Sequence, residues 1–224
     1  MKLTEKDLLE MYETMNLIRK SEQMMYELHN KGQILGHMLP CMGQEAVPVA
    51  IAKIMKDSDI LITGHRGGGH YIARGCSFER MWAEFFGRET GICRGRGGQL
   101  HLMDISHRAM TGNAIVAAQW GIAAGAGFAA KATGDMVVVA GGEGSTNRGP
   151  FHESLNMCSV KKLPVLFVVE NNNKMMWSEG KEYMGCERVA SRAAGYGVPG
   201  ATVDGNDVQA VYEKALEYAE YIRS

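Results

Sequence analysis

Apolar residues recur at helical spacing through Leu8, Met11, Met15, Ile18, Met25 and Leu28, and predict one long amphipathic helix over residues 4–30. Thr4 and Asp7 form a capping-box pattern at its start, with Asp in the place of Glu, and Gly32 and Gly36 end it. A second helix is predicted over residues 43–56, and Ile60-Leu61-Ile62 reads as a short strand entering a glycine cluster. Residues 78–86 repeat the helical pattern, with Trp82, Phe85 and Phe86 directed to the core. The segment 117–132 is a helix of small residues, suited to close packing against a sheet or an identical neighbour. Beyond it the period alternates: strand 136–140, helix 149–160, strand 164–169. A further unit is expected from a helix at 187–194, strand Ala201-Thr202-Val203, turn Asp204-Gly205 and a helix from about Asp207 to Tyr221.

Short β-branched runs alternating with helices imply an α/β fold, a parallel sheet with helices on both faces. A length of 224 residues is read as one such domain, 1–224, with the helix 4–30 leading into it. Ligands on such sheets sit at the carboxyl ends of the strands. Residues 141–147 and 170–173 are two such ends and are expected to meet at one site.

Charge changes the picture little. Lys and Arg (24) balance Asp and Glu (25), which argues against a nucleic-acid or anionic-membrane partner. The longest apolar runs fall far short of a membrane span, and the first residues carry no apolar signal segment. Five cysteines form no close pair, so free thiols and a cytoplasmic location are expected, and the absence of paired Cys or His at zinc spacing predicts no structural zinc site. Glycine (28) is in excess and clusters at 64–75, 91–98 and 141–149, which suggests backbone held close to a ligand.

The third cluster carries the chemistry. Gly142-Glu143-Gly144-Ser145-Thr146-Asn147 leaves a buried strand and opens a helix, presenting backbone N–H groups to an anion. An acid in such a loop makes sense when a divalent cation lies between it and a phosphate, and Mg²⁺ favours shared oxygen ligands of this kind. Asn172, at the end of the neighbouring strand, offers a further neutral oxygen.

These residues, with Phe151-His152-Glu153-Ser154-Leu155-Asn156-Met157, Lys162-Leu163-Pro164 and Glu170-Asn171-Asn172, resemble the alpha subunit of thiamine diphosphate-dependent 2-oxo acid dehydrogenases, the family of pyruvate, branched-chain and acetoin dehydrogenases. Gly43-Gln44-Glu45-Ala46, Thr63-Gly64-His65-Arg66-Gly67, Gly97-Gly98-Gln99-Leu100-His101, the run Gly112 to Gln119, and Val203-Asp204-Gly205-Asn206-Asp207 match in the same order. The resemblance spans nearly the whole chain and implies a thiamine diphosphate-binding fold.

It also implies roles. The Glu143 carboxylate, the Asn172 side chain and the Lys174 carbonyl would hold Mg²⁺ on the diphosphate, cradled by Gly142, Gly144 and Ser145. His65 and Arg66 would reach the phosphates, where the planar fork of Arg suits oxyanions. Ala114 and Val116 would lie against the aminopyrimidine, with His37, the catalytic candidate, near the substrate. His101, His107 and His152 read as structural or solvated. The implied activity is oxidative decarboxylation of a small 2-oxo acid, or acetoin cleavage, with acyl transfer to a lipoyl group. The activating glutamate belongs to a beta subunit in this family, so the resemblance implies an α₂β₂ heterotetramer, activity only with that partner, and a lipoyl domain as acceptor.

The sequence departs from the family pattern in four places. Glu143 replaces Asp, Lys174 replaces an aromatic residue and Gly68 stands where a histidine is frequent. The family also continues with a strand and a histidine-bearing loop that this sequence does not include, which another polypeptide or an adapted partner interface would have to replace. Two further readings stay open: the cofactor-binding half of a split transketolase or acyloin-forming enzyme, and a degenerate non-catalytic partner subunit.

Overall fold

A computed structural model describes residues 2–224. Helix α1 (Glu5–Asn30) starts at Thr4, whose hydroxyl accepts the Asp7 N–H while the Asp7 carboxylate accepts the Thr4 N–H, as the capping pattern predicts. Helix α2 (Ala46–Ile54) follows, shorter than expected because Gly43 adopts a left-handed conformation before it. The strands are β1 (Ile60–Gly64), β2 (Ala109–Asn113), β3 (Val137–Gly142) and β4 (Val165–Glu170). Between β1 and β2 lie α3 (Gly68–Ala73) and α4 (Phe78–Phe85); α5 (Ala118–Thr133) joins β2 to β3, and α6 (Gly149–Lys161) joins β3 to β4. A hairpin of β5 (Lys174–Met175) and β6 (Ser178–Glu179), the single turn α7 (Gly180–Tyr183) and the terminal α8 (Val208–Arg223) complete the order.

The four long strands form one parallel sheet in the order β2-β1-β3-β4. Side chains alternate across it, as a two-residue period requires. Leu61, Val138 and Leu166 face a core shared with α1, α2, α3, α4 and α8. Ile62, Val139 and Val165 face a core shared with α5 and α6. Helices therefore cover both faces. On the second face Trp120, Phe151 and Phe167 pack at ring separations of 5.2–6.1 Å and join α5, α6 and β4.

Three expectations are corrected. Residues 201–203 form no strand; they are exposed and flanked by Gly200 and the Asp204-Gly205 turn, so nothing buries one face of so short a run. The predicted helix 187–194 is a 3₁₀ stretch, Val189–Tyr196. Phe86 is exposed, whereas Phe85 is buried and Trp82 partly so. The C-terminal helix is anchored differently from any reading of periodicity: Arg223 pairs with the fully buried Asp59, which also accepts the Lys56 and Met136 N–H groups.

Candidate functional site

All four parallel strands point their carboxyl ends at one edge of the sheet. The helix after β1 lies on one face and the helix after β3 on the other, and β1 and β3 are neighbours. The crevice between them is therefore the topological switch point, where such sheets bind ligands. His65 and Arg66 leave β1 at this crevice, and Glu143 leaves β3.

Gln119 of α5 is wedged into it. A Cβ on Gly141 would lie 2.3 Å from its Nε2, and one on Gly64 would lie 3.3 Å away, so glycine at 141 is what admits the side chain. Its Oε1 is buried without a hydrogen-bond partner among the described residues, as is Nε of Arg66. Buried polar atoms without a partner call for one from outside the chain, such as water, an ion or a polar ligand. Burial, reinforced by the adjacent Arg66 charge, lowers the pKa of His65 and favours its neutral form.

The turn after β3 is a 3₁₀ stretch, Glu143–Asn147, ending at Arg148 before α6. Its shape is set by side chains on three sides. The Ser145 hydroxyl donates to the Gly142 carbonyl (2.6 Å) and accepts from Trp120 Nε1 (3.1 Å). Arg192 donates to the Thr146 carbonyl (2.5 Å) and to Asn147 Oδ1 (2.6 Å). Glu143 is 2% exposed, and its Oε1 accepts the Tyr183 hydroxyl at 2.6 Å. Among the described residues no donor reaches its Oε2. Burial and the Glu143 charge push the Tyr183 phenol up to about 12, so it serves as a neutral donor.

The β5–β6 hairpin lies directly against this turn: a Cβ on Gly144 would sit 2.8 Å from Met175 Cγ. Lys174, next to Met175 in β5, is thereby brought close to the Glu143 turn, with Asn172 two residues before it. Asn172 Oδ1 accepts the Lys174 N–H (2.9 Å), which leaves its second lone pair for another partner. Carboxylate, amide and carbonyl oxygens are a hard donor set, matched to Mg²⁺. The residues present thus fit a magnesium diphosphate.

Ala114 and Val116 sit in the turn after β2, which Asn113 organises by accepting the Ile115 N–H (2.8 Å). Ala117, fully buried, takes a left-handed conformation (φ 76°) and projects Ile115 and Val116 outward, 67% and 44% exposed. A non-glycine residue in this conformation is held there by the packing around it, which constrains the turn. His37 stands apart: it is exposed on the loop before α2 and makes no hydrogen bond among the described residues.

Several participants were invisible to sequence reasoning. Tyr183 and Arg192 come from distant elements, and no local pattern marks them; Gln119 closes the matching run 112–119, but nothing in that run gives it a role. Glu22 is another: 2% exposed, it accepts the Cys41 N–H (3.1 Å), and burial raises its pKa to about 7. A Cβ on Gly68 would lie 2.6 Å from Glu22 Oε1, so a larger residue at 68 would collide with this acid. His70 pairs with Glu170 at 3.3 Å, tying α3 to the end of β4.

The second glycine cluster has a different explanation from the ligand expected there. The buried Glu84 carboxylate accepts the N–H groups of Cys93, Gly95, Gly97 and Gly98 at 2.6–3.1 Å. The segment wraps an anion of its own chain.

The dehydrogenase E1 component family matches residues 12–224. The alpha subunit of acetoin:2,6-dichlorophenolindophenol oxidoreductase from Bacillus subtilis (strain 168) is 40% identical over 224 residues, covering 99% of this chain and 67% of that protein. Its counterpart from Cupriavidus necator is 38% identical, covering 96% and 65%. The pyruvate dehydrogenase E1 component subunit alpha of Zymomonas mobilis subsp. mobilis is 37% identical, covering 97% and 62%. The chain thus spans about two thirds of the length of the curated relatives it matches.

Proposed function

The chain belongs to the dehydrogenase E1 component family, and from that premise we propose that it is the diphosphate-binding alpha component of a thiamine diphosphate-dependent 2-oxo acid or acetoin dehydrogenase. The observation that carries this reading is the buried Glu143 carboxylate at the switch point, with Oε1 held by Tyr183 and Oε2 left without a donor.

Glu143 Oε2, Asn172 Oδ1 and the Lys174 carbonyl would hold Mg²⁺, and Gly142, Gly144 and Ser145 would offer backbone to the diphosphate. Tyr183 aims the longer Glu143 side chain by engaging one oxygen, and Arg192 keeps the turn closed. Arg66, with its uncompensated Nε, would take a phosphate oxygen, and neutral His65 can donate or accept there without adding charge. Ala114 and Val116 would flank the aminopyrimidine. When bound, thiamine diphosphate supplies a carbon nucleophile for the substrate carbonyl and a sink for the electrons released on decarboxylation. His37 would meet the substrate only once the exposed loop is covered.

The site is an open edge, with Ile115, Asn172, Lys174 and Trp177 exposed around it. A beta-type subunit would close it, supply the activating acid and exclude water; a lipoyl domain would then accept the acyl group. The test is calorimetric titration of thiamine diphosphate with Mg²⁺ into the chain co-expressed with a beta-type partner. Saturable, Mg²⁺-dependent binding is expected, lost in Glu143→Ala and Arg66→Ala. No heat at millimolar cofactor would overturn the assignment.

A further inference from the structure

The opposite edge of the sheet carries a second cluster of reactive side chains. Asp104 bridges to Ala109, the first residue of β2, so it lies at the amino-terminal edge. Cys76, just beyond α3, and His107, in the 3₁₀ turn Ile105–His107, converge on it. One thiol sulfur, one carboxylate oxygen and one imidazole nitrogen lie within 4.8 Å of one another. We propose that Cys76, Asp104 and His107 form a binding site for a divalent transition-metal ion of the zinc class, independent of the magnesium site at the other edge.

The donor set decides the class of ion. Sulfur and imidazole nitrogen beside a single oxygen favour Zn²⁺ or Co²⁺, whereas Mg²⁺ and Ca²⁺ take oxygen. The donors are also held in place. Asp104 Oδ1 accepts the Ser106 N–H (3.0 Å) and hydroxyl (2.5 Å), while Oδ2 lies 2.8 Å from His107 Nδ1. Arg74 donates to the His107 carbonyl (3.0 Å) and to the carbonyls of Lys56, Asp57 and Asp59, which fixes the turn that presents the imidazole. Tetrahedral bonds to zinc place donors roughly 3.3–3.7 Å apart, so shifts of about an ångström assemble the site.

Cys76 and Asp104 are each 5% exposed, while the His107 side chain is 39% exposed and gives the ion its way in. A cysteine, histidine and aspartate could instead suggest a nucleophile. Burial and the Asp104 charge push the Cys76 thiol up to about 12, which leaves it protonated and unreactive without a cation. Metal binding exchanges the Cys76 sulfur–hydrogen bond for a sulfur–metal bond and releases that proton to solvent, with water in the fourth position. Asp104 and His107 are three residues apart but Cys76 is remote from both, so no paired Cys or His spacing announces the set.

The test is titration of Co²⁺ into the metal-free full chain, followed by competition with Zn²⁺. One cobalt per chain is expected, with a sulfur-to-metal charge-transfer band in the near ultraviolet, tetrahedral bands in the visible and one proton released. Cys76→Ser should remove the near-ultraviolet band. His107→Ala should weaken binding at least tenfold, measured below the melting temperature of the variant because the change also removes a partner of Asp104. Absence of the sulfur band, or undiminished affinity in His107→Ala, would overturn the proposal. Neither result bears on cofactor binding, which is measured with Mg²⁺ at the other edge.

Discussion

A carboxylic acid as buried as Glu22, 2% exposed, costs stability whenever it ionises. Its folded-state pKa of about 7 lies above the unfolded value near 4.5, because burial outweighs the opposing Cys41 N–H and the Arg66 charge. The folded chain therefore binds the proton more tightly. The penalty is nearly absent below the unfolded pKa, grows as pH rises through the interval, and is complete above about 7. Glu22→Gln keeps an acceptor for Cys41 and cannot ionise. Its stability relative to the parent chain should rise by on the order of 2 kcal/mol between pH 5 and pH 8, measured by urea unfolding. A gap that stays constant across that range would show that Arg66 keeps Glu22 charged throughout. Glu84 and Glu143 are as deeply buried but meet other donors, four backbone N–H groups for one and the Tyr183 hydroxyl for the other. The glycine loop marks Glu143 in the sequence, whereas nothing local marks Glu22 or Glu84; the donors that the fold brings to those two separate a liability from a scaffold.

Among the elements, those with a local cause were legible. Helix α1 carries its cap and its stripe in one stretch of chain, and the β3-α6-β4 unit shows both periods with Gly and Pro at the joints. The Glu143 turn and the Asn172 strand end were found for the same reason, since each directly follows an apolar strand. What was not legible depended on partners remote in sequence: the Glu84 carboxylate inside the 91–98 loop, the Arg192 clasp, and the failure of 201–203 to find a strand to pair with. Helix α5 illustrates the limit. Its glycines read alike, but a Cβ on Gly127 would lie 2.7 Å from Val165 Cγ2 and 3.2 Å from Leu163 Cβ, whereas Gly125 has nothing within 4 Å. Gly127→Ala should destabilise the chain by about 1–2 kcal/mol, overpacking exceeding the gain in helix propensity. Gly125→Ala should stabilise it by up to about 1 kcal/mol. Denaturant midpoints of the two variants check this, and equal midpoints would mean that α5 shifts on the sheet to absorb the methyl group.

Across the whole molecule, the proposed cofactor edge is also where large apolar side chains meet water. The hairpin tip holds Met176 and Trp177 at 85% and 95% exposure, with Met176 in a left-handed conformation (φ 51°), and Ile115 on the far side of the edge is 67% exposed. No helix among the described residues is long and apolar enough to cross a membrane. An exposed tryptophan on a strained turn is poorly explained by the stability of the isolated chain, and it suits a partner that buries it. On the proposed reading that partner is the beta-type subunit, and the same hairpin carries Lys174 and packs Met175 on Gly144, so docking and the metal ligands are mechanically joined. Trp177→Ser should then leave the unfolding free energy of the isolated chain within about 0.5 kcal/mol of the parent. It should weaken association with the partner by about 2 kcal/mol or more, roughly thirtyfold, as measured by sedimentation or calorimetry. Affinity for thiamine diphosphate with Mg²⁺ should fall with it at subsaturating partner and recover when the partner is in excess. Unchanged association would detach the hairpin from the interface, and cofactor affinity that fails to recover would place Trp177 in the cradle itself.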